Sequence, residues 1–205
     1  SRVKTLNSIA AEYIEKNPDK ANEAAQQAMK LALRLNFKSG IATSYSNLGN
    51  TAKTKSDFET ALDYLQKALS LNEALQNKKA ISTSYNDLGN LYWTQGKMQE
   101  ALKYNLKAYD LKLALGDERG LALVCNSIGG IHSDQGEYAE ALTYYLKSLK
   151  LLEKIKLKTK LPIIYNNIGN IYRYQFNYPQ ALNYFFKSLA IAKEIGNRKS
   201  EANSY

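Results

Sequence analysis

The sequence is poor in the residues on which catalytic, metal-binding and disulfide-rich proteins depend. It has one cysteine and one histidine in 205 residues. A disulfide framework, a cysteine-based zinc site and a multi-histidine metal site are therefore excluded, and a serine–histidine–aspartate triad is disfavoured. The three prolines argue against sandwiches and barrels, which need many turns. No apolar run approaches the roughly 18 residues that a membrane span requires.

The composition is otherwise that of a globular protein. Hydrophobic residues make up 44% of the chain, charged residues make up 23%, and 16 residues are tyrosines. This apolar content excludes disorder as the main state. The chain opens with Ser1-Arg2-Val3, with neither a methionine nor an apolar leader. We therefore expect a segment that was processed or excised from a longer protein.

Internal repetition is the feature that decides the fold class. Leu48-Gly49-Asn50 recurs as Leu-Gly-Asn at 88–90, Ile-Gly-Gly at 128–130 and Ile-Gly-Asn at 168–170, always 40 residues apart. The same spacing links two further columns, which consist of Tyr45, Tyr85, Cys125, Tyr165 and Tyr205, and of Ala21, Ala61, Ala101, Ala141 and Ala181. Matching at this many columns indicates a repeat architecture.

Each repeat has the pattern of two helices. From Tyr85 to Tyr92, apolar and small residues fall at i, i+3, i+4 and i+7, which predicts one helix that Gly96 ends. A second apolar stripe runs from Ala101 to Leu115 and predicts the partner helix. We expect ten full helices in five hairpins and no strand.

Small residues at fixed positions predict how the two helices pack. Gly89 and Ala101 are expected where the two backbones approach closely, because a larger side chain would force them apart. Gly116 suits the left-handed residue after a helix. Pro162 is placed where a first helical turn tolerates proline. The first repeat is irregular, and its helices match the others only if its loop is one residue shorter.

These columns resemble the tetratricopeptide repeat. The family pattern of an aromatic residue, Leu-Gly, tyrosine, alanine and a later alanine is matched by Tyr85, Leu88, Gly89, Tyr92, Ala101 and Ala108. The usual period is about 34 residues, whereas this period of 40 lengthens the second helix. Leu113 stands where the family has a late proline.

The 40-residue form resembles the repeats of Pins-type polarity adaptors. It is more similar to the sensor segments of Bacteroidetes histidine kinases and related regulators. Tyr-Asn-Asn-Ile-Gly-Asn-Ile-Tyr at 165–172, Arg-Val-x-Thr-Leu-Asn at 2–7 and the Pro-x-Lys-Ala turn at 18–21 are typical of those segments.

The resemblance implies an all-α, right-handed superhelical solenoid of stacked helix-turn-helix repeats, with first helices lining its concave face. We expect a single domain over 1–205. Its predicted units are 1–40, 41–80, 81–120, 121–160 and 161–200, with 201–205 starting a sixth. The face of 178–196 would then lack its usual cover, which allows self-association through the repeat ends.

The net charge of +9 is concentrated in the second helices. First-helix stretches such as 81–95 hold few charges, so the second helices are interpreted as the solvated outer surface. A run of lysines from Lys147 to Lys160 is interpreted as a solvated helix end. Direct nucleic-acid binding and membrane contact are disfavoured alternatives, since no binding motif is present.

Residues with chemical potential have simpler structural interpretations. His132 occupies the column of Tyr92 and Tyr172, which is a packing position. Cys125 is interpreted as a small buried hydrophobic residue. Asp134 and Glu137, near a turn, are interpreted as partners of a helix N-terminus. We therefore expect no enzyme, no metal and no cofactor in this segment.

The face of the first helices that points away from the core carries repeated asparagines. The candidate peptide-binding residues are Ser46, Asn47, Asn50, Thr83, Asn86, Asn90, Trp93, Asn126, Asn166, Asn167, Asn170, Arg173 and Tyr174. An asparagine amide offers a donor and an acceptor together, as an extended peptide backbone does. The alternative is that these amides join neighbouring repeats or face water.

The predicted function is therefore a non-catalytic module that binds a protein or peptide. The resemblance implies the sensing or scaffolding segment of a bacterial signal-transduction protein, on the periplasmic side of a membrane-anchored chain. A cytoplasmic adaptor and a mainly self-associating stack are the alternatives. The basic residues Lys4, Lys53 and Arg173 are too few for the carboxylate clamp of chaperone-binding tetratricopeptide domains.

Overall fold

The computed structural model describes residues 1–196, and within this range every regular element is helical. The predicted start of a sixth repeat at 201–205 lies outside the described residues. A single 3₁₀ turn, Lys158–Lys160, precedes the ninth α-helix. The ten helices are α1 (Arg2–Tyr13), α2 (Pro18–Arg34), α3 (Lys38–Thr54), α4 (Phe58–Ala74), α5 (Lys78–Thr94), α6 (Met98–Ala114), α7 (Glu118–Asp134), α8 (Tyr138–Lys154), α9 (Leu161–Tyr174) and α10 (Tyr178–Glu194).

The predicted fold class is confirmed, because the ten helices form the expected hairpins of an all-α solenoid. The chain divides into two compact units, of which the first is Ser1–Leu111 and the second begins at Lys112. The division falls within α6. Helices α3, α5 and α7 each begin three residues before the predicted repeat boundaries at 41, 81 and 121.

Turns recur every 20 residues with the same backbone geometry. A residue in the left-handed region follows each helix from α2 to α10, at Asn36, Ser56, Gln76, Gly96, Gly116, Gly136, Lys156, Phe176 and Gly196. Glycine adopts this conformation without the cost of about 1–2 kcal/mol that other residues incur. No residue between α1 and α2 has this conformation. The first turn is therefore built differently, in line with its predicted shorter loop.

The residue after the left-handed position often caps the next helix. The side chain of Asp57 accepts a hydrogen bond from the backbone N–H of Thr60, and Asp117 does the same for Gly120. Such a cap satisfies a donor that the first helical turn leaves unpaired. Asn77 and Asn177 cap their helices in this way as well, and Asn17 caps α2 although no left-handed residue precedes it.

Close packing inside a hairpin depends on the glycine of the Leu-Gly motif. A Cβ atom added at Gly49 would lie 3.2 Å from the carbonyl oxygen of Ala61 and 2.7 Å from Cγ of Leu65. The corresponding distance from Gly89 to the carbonyl oxygen of Ala101 is also 3.2 Å. The predicted close approach of Gly89 and Ala101 is confirmed.

Each unit has its own hydrophobic core. In the first unit, Leu65 and Leu88 are buried together at the centre of one cluster. In the second unit, Leu152, Ile164 and Ile168 belong to a larger aliphatic cluster. Pro162 lies in the first turn of α9, as predicted.

Candidate functional site

A cavity of about 420 Å³ opens between the first helices of the first two hairpins. Its lining combines polar side chains of α1 and α3, among them Ser8, Ser39 and Thr43, with the ring of Phe37. Lys4 is its one cationic lining residue. We call the surface formed by the first helices the groove face, which comprises α1, α3 and α5 in the first unit and α7 and α9 in the second, each taken within its own unit.

Asn47, one of the predicted binding residues, joins two hairpins of the first unit. Its Nδ2 donates to the backbone oxygen of Asn7 at 2.9 Å and to Oδ1 of Asn7 at 3.0 Å. The Asn7 amide in turn donates to the carbonyl oxygen of Gly40 at 3.2 Å, and its Oδ1 accepts from the Ser44 hydroxyl. Both asparagines are buried. For Asn47 the structure therefore supports the alternative to ligand binding given above, in which the amides join neighbouring repeats.

A second asparagine pair joins hairpins within the second unit. Nδ2 of Asn167 donates to Oδ1 of Asn126 at 2.8 Å. Asn167 and Asn47 occupy the same column of the repeat, 120 residues apart. In both units this column therefore connects one hairpin to the hairpin before it.

Asn86 is bonded inside its own hairpin. Its Nδ2 donates to Oδ1 of Asn105 at 2.7 Å, and Nδ2 of Asn105 donates to the carbonyl oxygen of Ala101 at 3.0 Å. Asn105 is fully buried against Gly89. It stands in the column of Leu65, Tyr145 and Phe185, which face the equivalent glycines.

Four more of the predicted residues on the groove face are half-buried, and a fifth is exposed. The side chains of Ser46, Asn50 and Asn170 are half-buried and make no hydrogen bond to a described residue. The hydroxyl of exposed Thr83 donates to the carbonyl oxygen of Lys79 at 3.2 Å. Asn166 is half-buried and has a polar partner.

Asn90 carries the clearest unsatisfied group of the stripe. Its Oδ1 is buried and accepts no hydrogen bond from a described residue. A buried acceptor without a partner costs about 1–3 kcal/mol. An internal water or a polar ligand atom would remove this cost.

Aromatic and cationic side chains flank the asparagines. Trp93 is half-buried at the end of α5. Tyr174 is 46% exposed and stacks on Tyr138, with ring centroids 5.5 Å apart. The guanidinium carbon of Arg173 lies 5.2 Å from the Tyr174 ring centroid. This aromatic–cation group lies at the end of α9.

Sequence reasoning missed Asn7 and Asn105, although both support predicted residues. Asn105 had a usable signal, since an amide replaces the hydrophobic residues of its column opposite Gly89. Asn7 lies 40 residues before Asn47, but the irregular first repeat obscured this register.

His132 and Cys125 have the structural roles that their columns predicted. The His132 ring stacks on Tyr144 at a centroid distance of 5.6 Å, and its Nδ1 lies 2.5 Å from Oε2 of Glu137. Tyr92 stacks on Tyr104 in the same manner. Cys125 is fully buried, and burial raises the pKa of its thiol to about 11, which keeps it protonated and unreactive at neutral pH.

The described residues were compared with the requirements of a metal site and of a membrane-spanning helix. Across 1–196, no group of three or more histidine, cysteine, aspartate or glutamate side chains is placed to hold a metal ion. None of the helices in that range combines the length and apolar character needed to cross a membrane. Part of the lysine run is paired, because Lys154 contacts Glu118 and Lys158 contacts Glu194.

The family profile described as "Tetratricopeptide repeat" matches four overlapping stretches, 2–74, 40–114, 80–154 and 118–194. Together they cover nearly all of the chain. The chain belongs to the tetratricopeptide-repeat family. Such repeats are a protein-interaction module and are generally non-catalytic. A search of curated proteins found no significant match.

Solved structures with the same fold include regulatory proteins. Aspartyl phosphate phosphatase F from Bacillus subtilis is 14% identical, with a TM-score of 0.84 over 99% of this chain and 54% of its own. A tetratricopeptide-repeat sensor STAND protein from Pyrococcus horikoshii is 22% identical, with a TM-score of 0.80 over 97% of this chain and 31% of its own.

A third similar structure is a Rap protein complexed with Competence and Sporulation Factor. It is 16% identical, with a TM-score of 0.71 over 100% of this chain and 63% of its own. At these identities the likeness shows the fold alone. The chain covers less than two thirds of the length of each of these three proteins.

Proposed function

We propose that this chain binds a protein or peptide on its groove face. It would act as the sensing or scaffolding segment of a bacterial signal-transduction protein, of the histidine-kinase or transcriptional-regulator type. The observation that carries the proposal is the cavity of about 420 Å³ between α1 and α3. Of the predicted binding residues Asn47 lines it, and hydroxyl, amide and ammonium groups line it together with the ring of Phe37.

The open amides of the groove face suit an extended peptide backbone. Asn50 and Asn170 have no internal partner among the described residues, so each can donate to a carbonyl and accept from an N–H of a ligand. Trp93 and Tyr174 offer apolar surface for side chains, as buried aromatic anchors do at protein interfaces. The asparagines that join hairpins would hold the groove face in shape.

Two of the similar structures support a regulatory context. The STAND protein has its tetratricopeptide repeats as a sensor, and the Rap protein holds Competence and Sporulation Factor. The proposed position is the periplasmic side of a membrane-anchored protein. A cytoplasmic adaptor without an output domain is the second candidate. Protease accessibility of the full-length protein in spheroplasts separates the two, since a periplasmic segment is cleaved and a cytoplasmic one is protected.

The binding proposal is tested with a groove-blocking substitution and a matched control. Thr43 lines the cavity, and its hydroxyl donates to the carbonyl oxygen of Ser39 at 2.9 Å. Thr143, on the second helix α8, is exposed and makes the equivalent bond to Ala139 at 3.0 Å. Thr43→Arg should abolish binding of peptides that were selected on the wild-type protein from a random library, whereas Thr143→Arg should leave binding unchanged. Equal binding by both variants would refute the groove as the site.

A further inference from the structure

A second concave surface lies between the first two hairpins, on helices α2, α3 and α4. This notch has a volume of about 410 Å³ and shares no lining residue with the cavity between α1 and α3. Tyr45 and Tyr64 stack beside it, with ring centroids 5.9 Å apart. Met29 and Leu33 provide its apolar wall, and Leu33 is 58% exposed.

Two later repeats indicate which chemical group completes this kind of notch. The Tyr85 hydroxyl donates to Oε1 of Glu73 at 3.4 Å. The Tyr165 hydroxyl donates to Oε1 of Glu153 at 3.1 Å. In each pair the glutamate precedes the tyrosine by 12 residues. A carboxylate of the chain itself therefore occupies the equivalent place in both repeats.

The first junction lacks that carboxylate. Leu33 stands 12 residues before Tyr45, where the two tyrosine-bonded repeats have Glu73 and Glu153. The Tyr45 hydroxyl makes no hydrogen bond to a described residue. The notch thus retains a tyrosine donor and gains an apolar wall in place of the internal acceptor.

The surroundings of the notch carry unpaired positive charge. Lys30 lines it and also lines an adjoining cavity of about 280 Å³, together with Arg2 and Arg34. None of these three cations forms an ion pair with a residue in the described range. Lys67 at the rim is bonded to Asp63 at 2.7 Å. The unpaired cations favour an anionic partner.

We propose that this notch binds an acidic segment of a partner protein, in which a carboxylate stands beside an apolar side chain. The carboxylate accepts from the Tyr45 hydroxyl and from the Lys30 ammonium. The apolar side chain packs against Met29 and Leu33. Neighbouring acidic residues pair with the two arginines. This second surface is separate from the groove face, so it extends the chain's binding capacity beyond the function proposed above.

The experiment uses the two methionines of the chain as reporters. Met29 lines the notch, whereas Met98 begins α6 and does not line it. In the whole chain labelled with ¹³C at the methionine methyls, a ten-residue peptide of alternating glutamate and leucine should shift the Met29 signal and not the Met98 signal. A peptide of alternating glutamine and leucine should bind at least about ten-fold more weakly, because its neutral amides form no ion pair with Lys30 or the two arginines.

A substitution that restores the internal carboxylate makes the test specific. Leu33→Glu should reduce the affinity for the acidic peptide at least about ten-fold, since the new side chain takes the place of the ligand's carboxylate. Leu113→Glu is the matched control, because Leu113 occupies the same column, is 56% exposed and has Cys125 in place of the tyrosine. This control should bind like the wild type.

Three results would overturn the proposal. The first is no Met29 shift at millimolar acidic peptide, and the second is equal binding by the two leucine variants. The third is an equally strong shift with oligodeoxythymidine or with phosphatidylglycerol vesicles, which would indicate a surface for polyanions in general.

Discussion

The junction between α4 and α5 in the first unit and that between α8 and α9 in the second unit occupy the same place in the repeat. In the first, Nδ2 of buried Asn72 donates to the Ser84 hydroxyl at 3.0 Å. In the second, 80 residues later, Leu152 and Ile164 fill the equivalent positions within an aliphatic cluster. The same place in the repeat therefore holds a polar pair in the first unit and a hydrocarbon pair in the second.

The comparison separates two kinds of asparagine. A buried amide such as that of Asn72 has its partner inside the protein and stabilises a junction. A half-buried amide such as that of Asn50 has no partner among the described residues and is available to a ligand. Recurrence of asparagine at helical positions does not by itself distinguish a binding surface from a joint.

The largest expected effect comes from a mismatch at the hydrocarbon junction. Leu152→Asn places an amide against Ile164, where no side-chain acceptor or donor matches it. We expect a loss of about 3–5 kcal/mol in the free energy of unfolding, measured by urea denaturation. Adding Ile164→Ser should recover about 1 kcal/mol by recreating the polar pair of the first unit. Strict additivity of the two substitutions would show that pairing does not matter.

A smaller loss is expected where the amide network of the first unit is removed. Asn7→Ala deletes the donor to Gly40 and the acceptor for Ser44 and Asn47. The buried partners that remain make the expected loss about 2–3 kcal/mol. Ser8→Ala, at the neighbouring exposed position, serves as the control. Equal stability of the two variants would contradict the structural role of the network.

Replacement of a buried amide by hydrocarbon should be favourable where the repeat already shows that leucine fits. Asn105→Leu copies Leu65, which packs against Gly49 as Asn105 packs against Gly89. The freed amide of Asn86 is half-buried and can reach water. We expect a gain of about 1 kcal/mol in the free energy of unfolding. A loss would show that the Asn86–Asn105 bond has a greater net value than hydrocarbon burial.

The smallest effect concerns a turn that is remote from the junction pairs. Ser56 is exposed and has a φ of 62°. Ser56→Gly should stabilise the chain by up to about 1 kcal/mol, because glycine adopts this conformation without strain. Gly116→Ala, at a φ of 66° with open space around it, should destabilise it by a similar amount. Thermal denaturation of both variants measures these changes in stability, which can then be compared with those of the junction variants.

The fold was predictable because each repeat states the same pattern again. A helical hairpin follows from three sequence features. These are the column of Gly49 and Gly89, which allows close packing, the glycines that end helices, and the 40-residue period. Left-handed turns at Ser56, Lys156 and Phe176 escaped prediction, since their residue types do not favour that conformation. Backbone hydrogen bonds close the helix before each of these turns, as from the N–H of Asp57 to the carbonyl oxygen of Ala52 at 3.0 Å.

The candidate site was predictable only as a surface. Helical periodicity placed Asn47, Asn50 and Asn86 on one side of the first helices. It could not tell which amide meets another buried polar group, because the partners Asn7 and Asn105 lie far along the chain. Only the distances in the structure distinguish the asparagines that join hairpins from those without an internal partner, and a single sequence does not give these distances.

The most direct test compares binding and stability in two double variants, each of which replaces two asparagines by alanine. Asn50→Ala with Asn170→Ala removes the open amides, and Asn47→Ala with Asn167→Ala removes two amides that join hairpins. Peptides from the random-library selection are titrated against each variant, and each is melted. Asn86 and Asn126 are left unchanged, because they are bonded within the fold.

Opposite outcomes are expected for the two variants. The open-amide variant should bind at least about ten-fold more weakly while its melting temperature stays the same or rises, since alanine is the better helix former. The joint variant should melt about 4–8 °C lower. Wild-type binding by the open-amide variant, together with a lowered melting temperature, would contradict the central claim that these amides face a ligand.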